Sequence, residues 1–484
     1  MRKTKIIVTL GPATESPEML KKLIIAGVNV FRLNMSHASH NWVRHIVPTI
    51  RNLSAELDKS TAILMDTQGP AIRTGDLPNK LDLKVGDSFT FTVRGHVSEE
   101  EHSVDTNYDE LLSDINVGDV VLVDNGVIQM MVQEKRQQEL VCKVMTSGSL
   151  GSRRHINLPG IRVKLPALTE KDLADVKVGV ETGVDIIALS FVREGNDVDL
   201  LRQVLAAQGG GSIKIVAKIE DQSAVHNVSE IIREADCIMV ARGDLGIEWP
   251  YEELPIVQRQ IVKKCLAVGK PVIVATHMLE SMIQNPLPTR AEITDVANAV
   301  FEQADAIMLS GETTVGKYPV KCVEVLDKVA ARIERSGSIG FHSDLVLRDE
   351  HDRIASSAVH MANQLKSDAL VVFTNTGYSA RICAALRPRH TPIFAFTPDA
   401  QIARQLCMHY AVKPFVLKFS TSPLQNIDLA EDLLLQQQVL PKGAKLVVMT
   451  DQYHNGERYW SVQYRLLGQF QPLAYPPANS PSKF

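Results

Sequence analysis

The chain has 484 residues, enough for about two to four domains, and its 45% hydrophobic and 22% charged residues are ordinary for a globular protein. A net charge of −4 argues against a general nucleic-acid-binding protein, which needs excess lysine and arginine, but it leaves room for a local basic pocket. No stretch reaches the roughly 18 to 20 apolar residues that cross a bilayer, no signal peptide is evident, and the six cysteines lack metal-binding spacing. We expect a cytoplasmic protein with reduced cysteines that binds neither membranes nor nucleic acid.

Eight short apolar runs end in polar residues, and helical periodicity fills most of the gaps between them. The runs lie at 5–12, 29–37, 61–67, 184–190, 213–220, 237–243, 271–276 and 305–310. The helical stretches include 18–26, 170–182, 222–234 and 251–268. Strands that alternate with helices predict a parallel sheet with crossover helices, hence an α/β fold. Eight such units favour a closed (β/α)₈ TIM barrel over an open doubly wound sheet, which would share the pattern.

Between the third and fourth runs the pattern changes to short alternating strands at 88–93, 119–123 and 140–144, separated by glycine-containing turns. We predict that residues 71–165 form an inserted all-β lid domain, a small β-barrel, while the TIM barrel occupies 1–70 and 166–335. An insertion at a βα loop lies over the barrel mouth, so a lid is its natural role.

A glycine- and serine-rich segment after residue 335 marks a second domain boundary. Beyond it, strand candidates alternate with helical stretches. The candidates lie at 368–374, 392–397, 413–417 and 444–450. Residues 340–475 are therefore predicted to form a C-terminal α/β domain.

The polar residues at the ends of the barrel strands form a chemically coherent set. They are Arg32, Asn34, Ser36, His37, Asp66, Thr67, Arg73, Lys218, Glu220, Arg242, Gly243, Asp244, Thr276, Ser310 and Glu312. Two carboxylates at adjacent strand ends, Glu220 and Asp244, suit Mg²⁺ or Mn²⁺, and three cations at the same mouth suit a phosphoryl group. Taken singly, an arginine or an aspartate at a strand end is more often a surface ion pair, and a threonine or a serine is a hydroxyl bonded to the backbone. Together they predict a metal-dependent barrel enzyme that acts on an anionic substrate.

Many of these residues stand in stretches that resemble the pyruvate kinase family, from the N-terminus to about residue 420. The stretches are TKIIVTLGPA (4–13), RLNMSH (32–37), DTQGPAIRTG (66–75), NLPG (157–160), LPALTEKD (165–172), AKIE (217–220), MVARGDLG (239–246), MLESM (278–282), PTRAE (288–292), DVANA (295–299) and MLSGE (308–312). The combination of ARGDLG with PTRAE is highly specific. The resemblance, closest to bacterial forms, implies a phosphotransferase (EC 2.7.1.40) that converts phosphoenolpyruvate and ADP to pyruvate and ATP. It also implies a C-terminal effector and assembly domain and a homotetramer.

The resemblance also implies roles for particular residues. Glu220 and Asp244 would bind the divalent metal, and Lys218 would stabilise the transferring phosphoryl group. Arg32 and Arg73 would hold phosphate oxygens. The Gly243 and Asp244 amides, with Thr276, would bind the substrate carboxylate, and His37 and Arg73 would contact the nucleotide. A potassium ion would be bound by Asn34, Ser36, Asp66 and Thr67. Thr276 and Ser310 would protonate the enolate through water.

Four residues depart from the family pattern. Gln68 stands where many members carry Lys. Ala71 stands at a position where family members that depend on potassium carry Glu and members that do not depend on it carry Lys. Because Ala has neither charge, this position does not show whether the enzyme needs potassium. The four potassium-ligand positions favour dependence. Lys164 replaces an acidic residue linked to the nucleotide-bound metal. His277 replaces Gln after Thr276, either as a changed hydrogen bond or as a titrating neighbour that moves the pH profile.

The C-terminal domain departs most from the family. The stretch TNTGYSAR (374–381) resembles an effector phosphate loop in which Thr374, Asn375, Thr376 and Ser379 would hold a sugar phosphate or a nucleotide. The alternative is an ordinary capped helix N-terminus. The ending DQYHNGERYW (451–460) lacks the usual family sequence, so effector regulation is open.

Two other functions remain open at this stage. One is a catalytically weak sensor of phosphoenolpyruvate or a sugar phosphate, and the other is a different phosphoenolpyruvate-using barrel enzyme. A sensor has no need to keep both metal carboxylates and the phosphoryl-contacting lysine.

Overall fold

The computed structural model describes residues 2–469, apart from 97, 101, 162, 455 and 456. Two compact units are present, one from Arg2 to Asp344 and the other beginning at Leu345. The first unit opens with strands β1 (Lys5–Thr9), β2 (Val30–Asn34) and β3 (Ala62–Asp66), joined by helices α1 (Pro17–Ala26) and α2 (His40–Glu56). Every residue of β1 and β3 is buried, as expected for apolar strands covered on both faces.

After β3 the chain forms the inserted domain, which has a hydrophobic core of its own. Its elements are β4 (Ile72–Arg73), β5 (Leu81–Leu83), β6 (Ser88–Thr92), β7 (Ser103–Asp105), α3 (Leu111–Asp114), β8 (Val120–Val123), β9 (Ile128–Lys135), β10 (Glu139–Val144), β11 (Gly148–Leu150) and β12 (His155–Asn157). Seven strands form one sheet in the order β4-β12-β8-β9-β10-β6-β7, and β5 pairs with β11. The predicted all-β insertion is thereby confirmed, with the three predicted strands at β6, β8 and β10.

The two edges of the seven-stranded sheet meet just beyond β4 and β7. An antiparallel bridge joins Thr74 to Thr106, the Gly75 amide donates to Asp105 O over 2.8 Å, and the Asn107 amide donates to Arg73 O over 3.1 Å. The sheet therefore curls back on itself, and its two edges are joined by these contacts. The prediction for this region was a small β-barrel.

The chain then returns and completes the TIM barrel. The strands are β13 (Ile186–Leu189), β14 (Lys214–Ile219), β15 (Cys237–Ala241), β16 (Val272–Ala275) and β17 (Ala306–Leu309). The helices are α4 (Glu170–Thr182), α5 (Gly195–Ala207), α6 (Gln222–His226), α7 (Val228–Glu234), α8 (Arg242–Glu248), α9 (Leu254–Ala267), α10 (Arg290–Phe301), α11 (Gly311–Thr314) and α12 (Pro319–Ile333). Parallel pairing of β17 with β1 closes the eight strands, which confirms the predicted closed barrel over the open sheet.

Helix α4 fixes the loop that follows β3. Its capping box joins Thr169 and Asp172, and Gly183 ends the helix in the left-handed conformation (φ 70°). The second oxygen of the buried Asp172 carboxylate accepts the Gly69 amide over 3.0 Å. The start of α4 therefore determines where residues 67–71 pass over the barrel mouth.

The second unit is a five-stranded sheet with helices, in the order β20-β19-β18-β21-β22. Its elements are α13 (Glu350–Leu365), β18 (Ala369–Phe373), α14 (Tyr378–Ala385), β19 (Ile393–Thr397), α15 (Ala400–Gln405), β20 (Val412–Val416), α16 (Pro423–Gln436), β21 (Lys445–His454) and β22 (Glu457–Leu466). The predicted C-terminal α/β fold and its four strands are confirmed. The β21–β22 hairpin, part of which lies in the divergent ending, was not predicted, and positions 470–475 of the predicted domain lie outside the described residues.

The other helix predictions hold with small changes. The stretch 222–234 is broken at Asn227 into α6 and α7, and the stretch 251–268 begins as a helix only at Leu254. Within the described part of the chain, no helix combines the length and the apolar character needed to cross a membrane.

Candidate active site

A cleft of about 310 Å³ lies between the C-terminal ends of the barrel strands and the inserted domain. The predicted site residues that line it are Arg32, Asn34, Ser36, Thr67, Arg73, Lys218, Glu220 and Asp244. The lining also includes Gln68, Ala71, Asp124, Asn125, Arg153, Arg154, His155, Ser190 and Phe191. Asp66 is fully buried and contacts three of these lining residues. The cleft therefore joins most of the strand-end set, together with residues of the inserted domain that the sequence did not single out.

A network of buried charges forms one wall of the cleft. Arg32 Nε donates to Asp66 Oδ2 over 2.6 Å, and Lys218 Nζ lies 3.3 Å from Asp66 Oδ1 and 2.8 Å from Glu220 Oε1. Arg32 also donates to Thr9 Oγ1 over 3.0 Å. Lys218 and Glu220 are two residues apart in an extended segment, so their side chains point to the same face. The network holds two cations and two acids in fixed positions.

Burial would by itself lower the pKa of Lys218, but the Asp66 and Glu220 carboxylates outweigh it and hold the lysine pKa above its ordinary value. Burial likewise opposes ionisation of Asp66, but Arg32 and Lys218 hold the pKa of this carboxyl below its usual range. The wall therefore carries, beside the Arg32 guanidinium, an ammonium that keeps its charge near neutral pH, as a group that neutralises a phosphoryl group must.

Glu220 and Asp244 have the character of a divalent-metal site. Burial, together with the like charge of Asp244, raises the pKa of Glu220 to about 7, although Lys218 pulls it in the opposite direction. Among the residues that the structure describes, the Asp244 carboxylate makes no hydrogen bond or ion pair. Two carboxylates facing one cleft suit a hard cation such as Mg²⁺ or Mn²⁺, so the donor set fits this metal class.

Arg73 comes from the inserted domain and not from a barrel strand. Its exposed side chain lines the cleft, and its Nη1 donates to Arg153 O over 3.3 Å. Arg153 and Arg154 line the same side, and Arg154 Nη1 lies 3.4 Å from Asp124 Oδ1. The basic pair at 153–154, which ends two residues before the NLPG stretch, was the sequence signal that could have identified this second group of cations.

Thr276 and Gly243 contact each other at the ends of β16 and β15. The Gly243 amide donates to Thr276 Oγ1 over 2.8 Å, and Thr276 Oγ1 donates to Ala275 O over 2.7 Å. Thr276 has a left-handed backbone (φ 65°), a strained conformation for a β-branched residue that is often found at functional sites. The Gly243 amide is thus already engaged here, so it could hold a substrate carboxylate only after exchanging this partner.

Ser310 and His37 lie outside the lining of the cleft. The Ser310 amide donates to Glu312 Oε2 over 2.8 Å, and the other oxygen of Glu312 accepts the Leu279 amide over 3.0 Å. Glu312 therefore ties the end of β17 to the chain that follows β16. His37 is exposed in the turn after β2, where its amide donates to Asn34 O. The structure does not bring these two side chains into the charged network.

The four residues of the predicted potassium site stand at the ends of β2 and β3. Asn34, Ser36 and Thr67 line the cleft, and Asn34 Oδ1 accepts the Ser36 amide over 3.2 Å. Both oxygens of Asp66 already face Arg32 and Lys218. Ala71 lines the same cleft without a charge. A potassium ion bound here would share the Asp66 carboxylate with the Arg32 and Lys218 side chains.

Ser190 joins the network although it was not predicted as a site residue. Lys218 Nζ donates to Ser190 Oγ over 2.8 Å, and the hydroxyl donates to Thr67 O over 2.8 Å. Its signal was its position at the end of the fourth predicted strand. Ser190 therefore links the strand ends of β3 and β14 across β13.

Strand β12 and the segment that follows it are held to the barrel by several contacts. Asn157 Nδ2 donates to Glu248 Oε1 over 3.1 Å, and the Arg193 guanidinium donates to Val163 O and Leu165 O over 2.9 and 2.7 Å. Burial raises the pKa of Glu248 to about 7. These contacts hold the segment through which the chain returns from the inserted domain to the barrel.

Two departures from the family pattern have local partners. Lys164 Nζ lies 2.6 Å from Asp114 Oδ1, and its amide donates to Tyr108 Oη over 2.8 Å, so its charge is balanced within the inserted domain. His277 is more than half exposed, with Nε2 3.9 Å from Glu280 Oε2.

The predicted effector loop lies at the start of α14. Thr374 Oγ1 accepts the Gly377 amide over 2.9 Å, and Ser379 Oγ lies 3.1 Å from His351 Nε2. Thr376 Oγ1 accepts the Tyr378 amide over 3.4 Å. These bonds lie around the start of α14, whose N-cap residue Gly377 has no side-chain capping bond, and they decide neither for effector binding nor for the alternative of a capped helix N-terminus.

A closed (β/α)₈ barrel with two carboxylates and clustered cations at its mouth is typical of enzymes that act on phosphoryl-bearing substrates with the help of a metal ion. Comparison with known proteins identifies the family. The family described as "Pyruvate kinase, barrel domain" matches residues 1–323, and "Pyruvate kinase, alpha/beta domain" matches residues 352–458. The chain therefore belongs to the pyruvate kinase family of phosphotransferases, EC 2.7.1.40, as the motifs predicted.

Relatives agree along most of the chain. Plastidial pyruvate kinase 2 of Arabidopsis thaliana is 42% identical over 453 residues, covering 93% of this chain and 78% of the relative. A pyruvate kinase of Clostridium acetobutylicum is 39% identical over 455 residues, covering 93% and 96%. The crystal structure of a pyruvate kinase from Cryptosporidium parvum superposes with a TM-score of 0.90 at 36% identity, covering 96% of each chain. The sensor alternative receives no support from these similarities.

Proposed function

We propose that the cleft transfers the phosphoryl group of phosphoenolpyruvate to ADP, and that the buried network around Lys218 provides the catalytic charge. Lys218 Nζ and the Arg32 guanidinium would contact the phosphoryl oxygens and offset the negative charge that develops as the group moves. Asp66 fixes both cations from behind, so that little reorganisation is needed during the reaction. The single observation that carries the proposal is this fixed, buried pair of cations beside two metal-type carboxylates.

Glu220 and Asp244 would hold the divalent metal, Mg²⁺ or Mn²⁺, which would supply positive charge next to the phosphoryl oxygens. Arg73, carried by the inserted domain, would hold phosphate oxygens of the substrate and, with His37, the nucleotide. Because Arg73 is carried by the inserted domain and Lys218 by a barrel strand, closure of the inserted domain would complete the phosphate site and exclude water.

The substrate carboxylate would bind at the Gly243 and Asp244 amides beside Thr276. The resulting enolate would then take up a proton from water positioned by the hydroxyls of Thr276 and Ser310. The contact between the Gly243 amide and Thr276 Oγ1 brings the two groups together, and the carboxylate would replace Thr276 Oγ1 as the acceptor of this amide.

The direct test is a coupled assay of the purified protein with phosphoenolpyruvate, ADP and Mg²⁺. We expect pyruvate formation that requires all three. No pyruvate under any of these conditions would overturn the assignment of this cleft.

We also propose potassium at Asn34, Ser36, Asp66 and Thr67. Replacing potassium by sodium in the same assay should lower the rate by roughly one to two orders of magnitude, because the smaller ion cannot be held equally by this set of oxygens. Lithium at the same ionic strength provides the control for a general salt effect. Equal rates in all three salts would show that catalysis needs no potassium ion at Asp66 and that the Arg32 and Lys218 side chains provide enough positive charge there.

His277 should have little influence on the pH profile. Its side chain is more than half exposed and has only a distant acidic neighbour in Glu280. We expect His277→Gln to give the pH–rate profile of the unsubstituted enzyme. A profile displaced by about half a unit or more would identify His277 as a titrating neighbour of the site.

Three further properties are proposals that the family suggests. We propose a homotetramer, which light scattering would test as the mass of four chains. We propose that Thr374, Asn375, Thr376 and Ser379 bind a sugar-phosphate or nucleotide effector, to be tested by activation assays with and without a Ser379 substitution. We propose cytoplasmic residence, supported by six buried free cysteines but left open by the plastid relatives, to be tested by fractionation.

A further inference from the structure

Phe191 is a strained residue in direct contact with the proposed metal site. It follows β13 at the barrel mouth and has a left-handed backbone (φ 53°), which is a genuine outlier for an aromatic residue. In this conformation its amide donates to Glu220 Oε2 over 2.7 Å. The other oxygen of Glu220 faces Lys218 Nζ at 2.8 Å. The orientation of the metal carboxylate is therefore set by two contacts, one of which depends on an unfavourable backbone conformation.

The Phe191 ring is held on two sides. A methyl group at Gly69 would come within 2.8 Å of Phe191 Cδ2, so the ring packs closely against the loop after β3, which Asp172 anchors. The other neighbour is the His155 ring of the inserted domain, with centroids 6.0 Å apart and planes at 57°. Such tilted aromatic pairs are favourable. A strained backbone persists only where its surroundings hold it, and here the surroundings include a side chain of the inserted domain.

We propose that His155 is a positioning residue that couples the seating of the inserted domain to the metal carboxylate, acting through Phe191. Without the His155 ring, the Phe191 side chain can move into the cleft, and the backbone can relax from the left-handed region. The amide would then leave Glu220, and the carboxylate would lose its orientation. Contacts that orient a metal ligand from outside commonly change metal affinity by about tenfold or more when removed. The inference rests on the proposed metal role of Glu220.

The experiment measures Mn²⁺ binding to the full-length protein by titration, without substrates, and Mg²⁺ dependence of kcat and KM in parallel. We expect His155→Ala to raise the Mn²⁺ Kd by roughly tenfold, and His155→Phe, which keeps an aromatic ring, to restore it to within about twofold. His96→Ala, a histidine that faces Glu139 within the inserted domain, is the matched control and should leave the Kd unchanged. Thermal unfolding of each variant verifies that it is folded.

Each outcome decides the inference. An unchanged Kd in His155→Ala overturns it. A raised Kd that His155→Phe fails to restore also overturns it, because the effect would then come from imidazole hydrogen bonding or charge near Asp244 and not from ring packing. If the unsubstituted protein binds no Mn²⁺, the proposed metal role of Glu220 fails, which is a separate result.

Discussion

Replacing Lys218 by methionine is expected to abolish turnover while leaving divalent-metal binding nearly intact. The substitution removes the ammonium proposed to stabilise the transferring phosphoryl group, a role for which a single cation commonly provides a factor of about 10³ to 10⁵ in rate. Two effects on the metal site oppose each other. Loss of the lysine raises the proton affinity of Glu220 further, but it also removes a positive charge from the neighbourhood of the incoming metal.

Turnover and Mn²⁺ titration of the same preparation are the two measurements required. Lys214→Met provides the control, because Lys214 begins the same strand, faces Asp236 at 3.6 Å and lies away from the cleft. Near-normal turnover in Lys218→Met would remove this lysine from the mechanism. A loss of Mn²⁺ affinity as large as that of Glu220→Gln would mean that its role is to shape the metal site.

The second large effect is expected from Asp66→Ala. Asp66 is fully buried and accepts from both Arg32 and Lys218, so its removal leaves two buried cations with less compensation. Breaking a buried ion pair by deleting one partner typically costs about 3–5 kcal/mol of unfolding free energy. We therefore expect a clearly lower urea midpoint for the barrel unit, together with loss of activity.

Urea unfolding can be followed by tryptophan fluorescence, because Trp42 and Trp249 lie in the barrel unit. Asp76→Ala is the matched control: Asp76 pairs with Arg153 at 2.8 Å, but both side chains are largely exposed, so the midpoint should not move. If Asp66→Ala unfolds at the same urea concentration as the unsubstituted protein, the network does not contribute to stability and serves catalysis alone.

Several features of the site could not be read from local patterns. The contact between Phe191 and His155 joins residues 36 positions apart, and the pairing of Lys164 with Asp114 joins residues 50 apart. Each depends on how the inserted domain folds and where it is seated on the barrel. Strand β21 was predicted in part, at 444–450, but its partner β22 was missed, because the ending at 451–460 lacks the usual family sequence and offers no motif for a strand.

The sequence by itself determined the barrel, the insertion, the C-terminal α/β domain, the family and the set of strand-end residues. It could do so because apolar strand runs, helical periodicity and the family motifs are all patterns of neighbouring residues, and parallel strands of a barrel bring their carboxyl ends together by general rule. Only the tertiary structure decided that Asp66 is shared by Arg32 and Lys218, that the Gly243 amide is engaged by Thr276, and that Ser310 and His37 stand apart from the network. These outcomes depend on distances between side chains from different strands, which the order of residues along the chain does not specify.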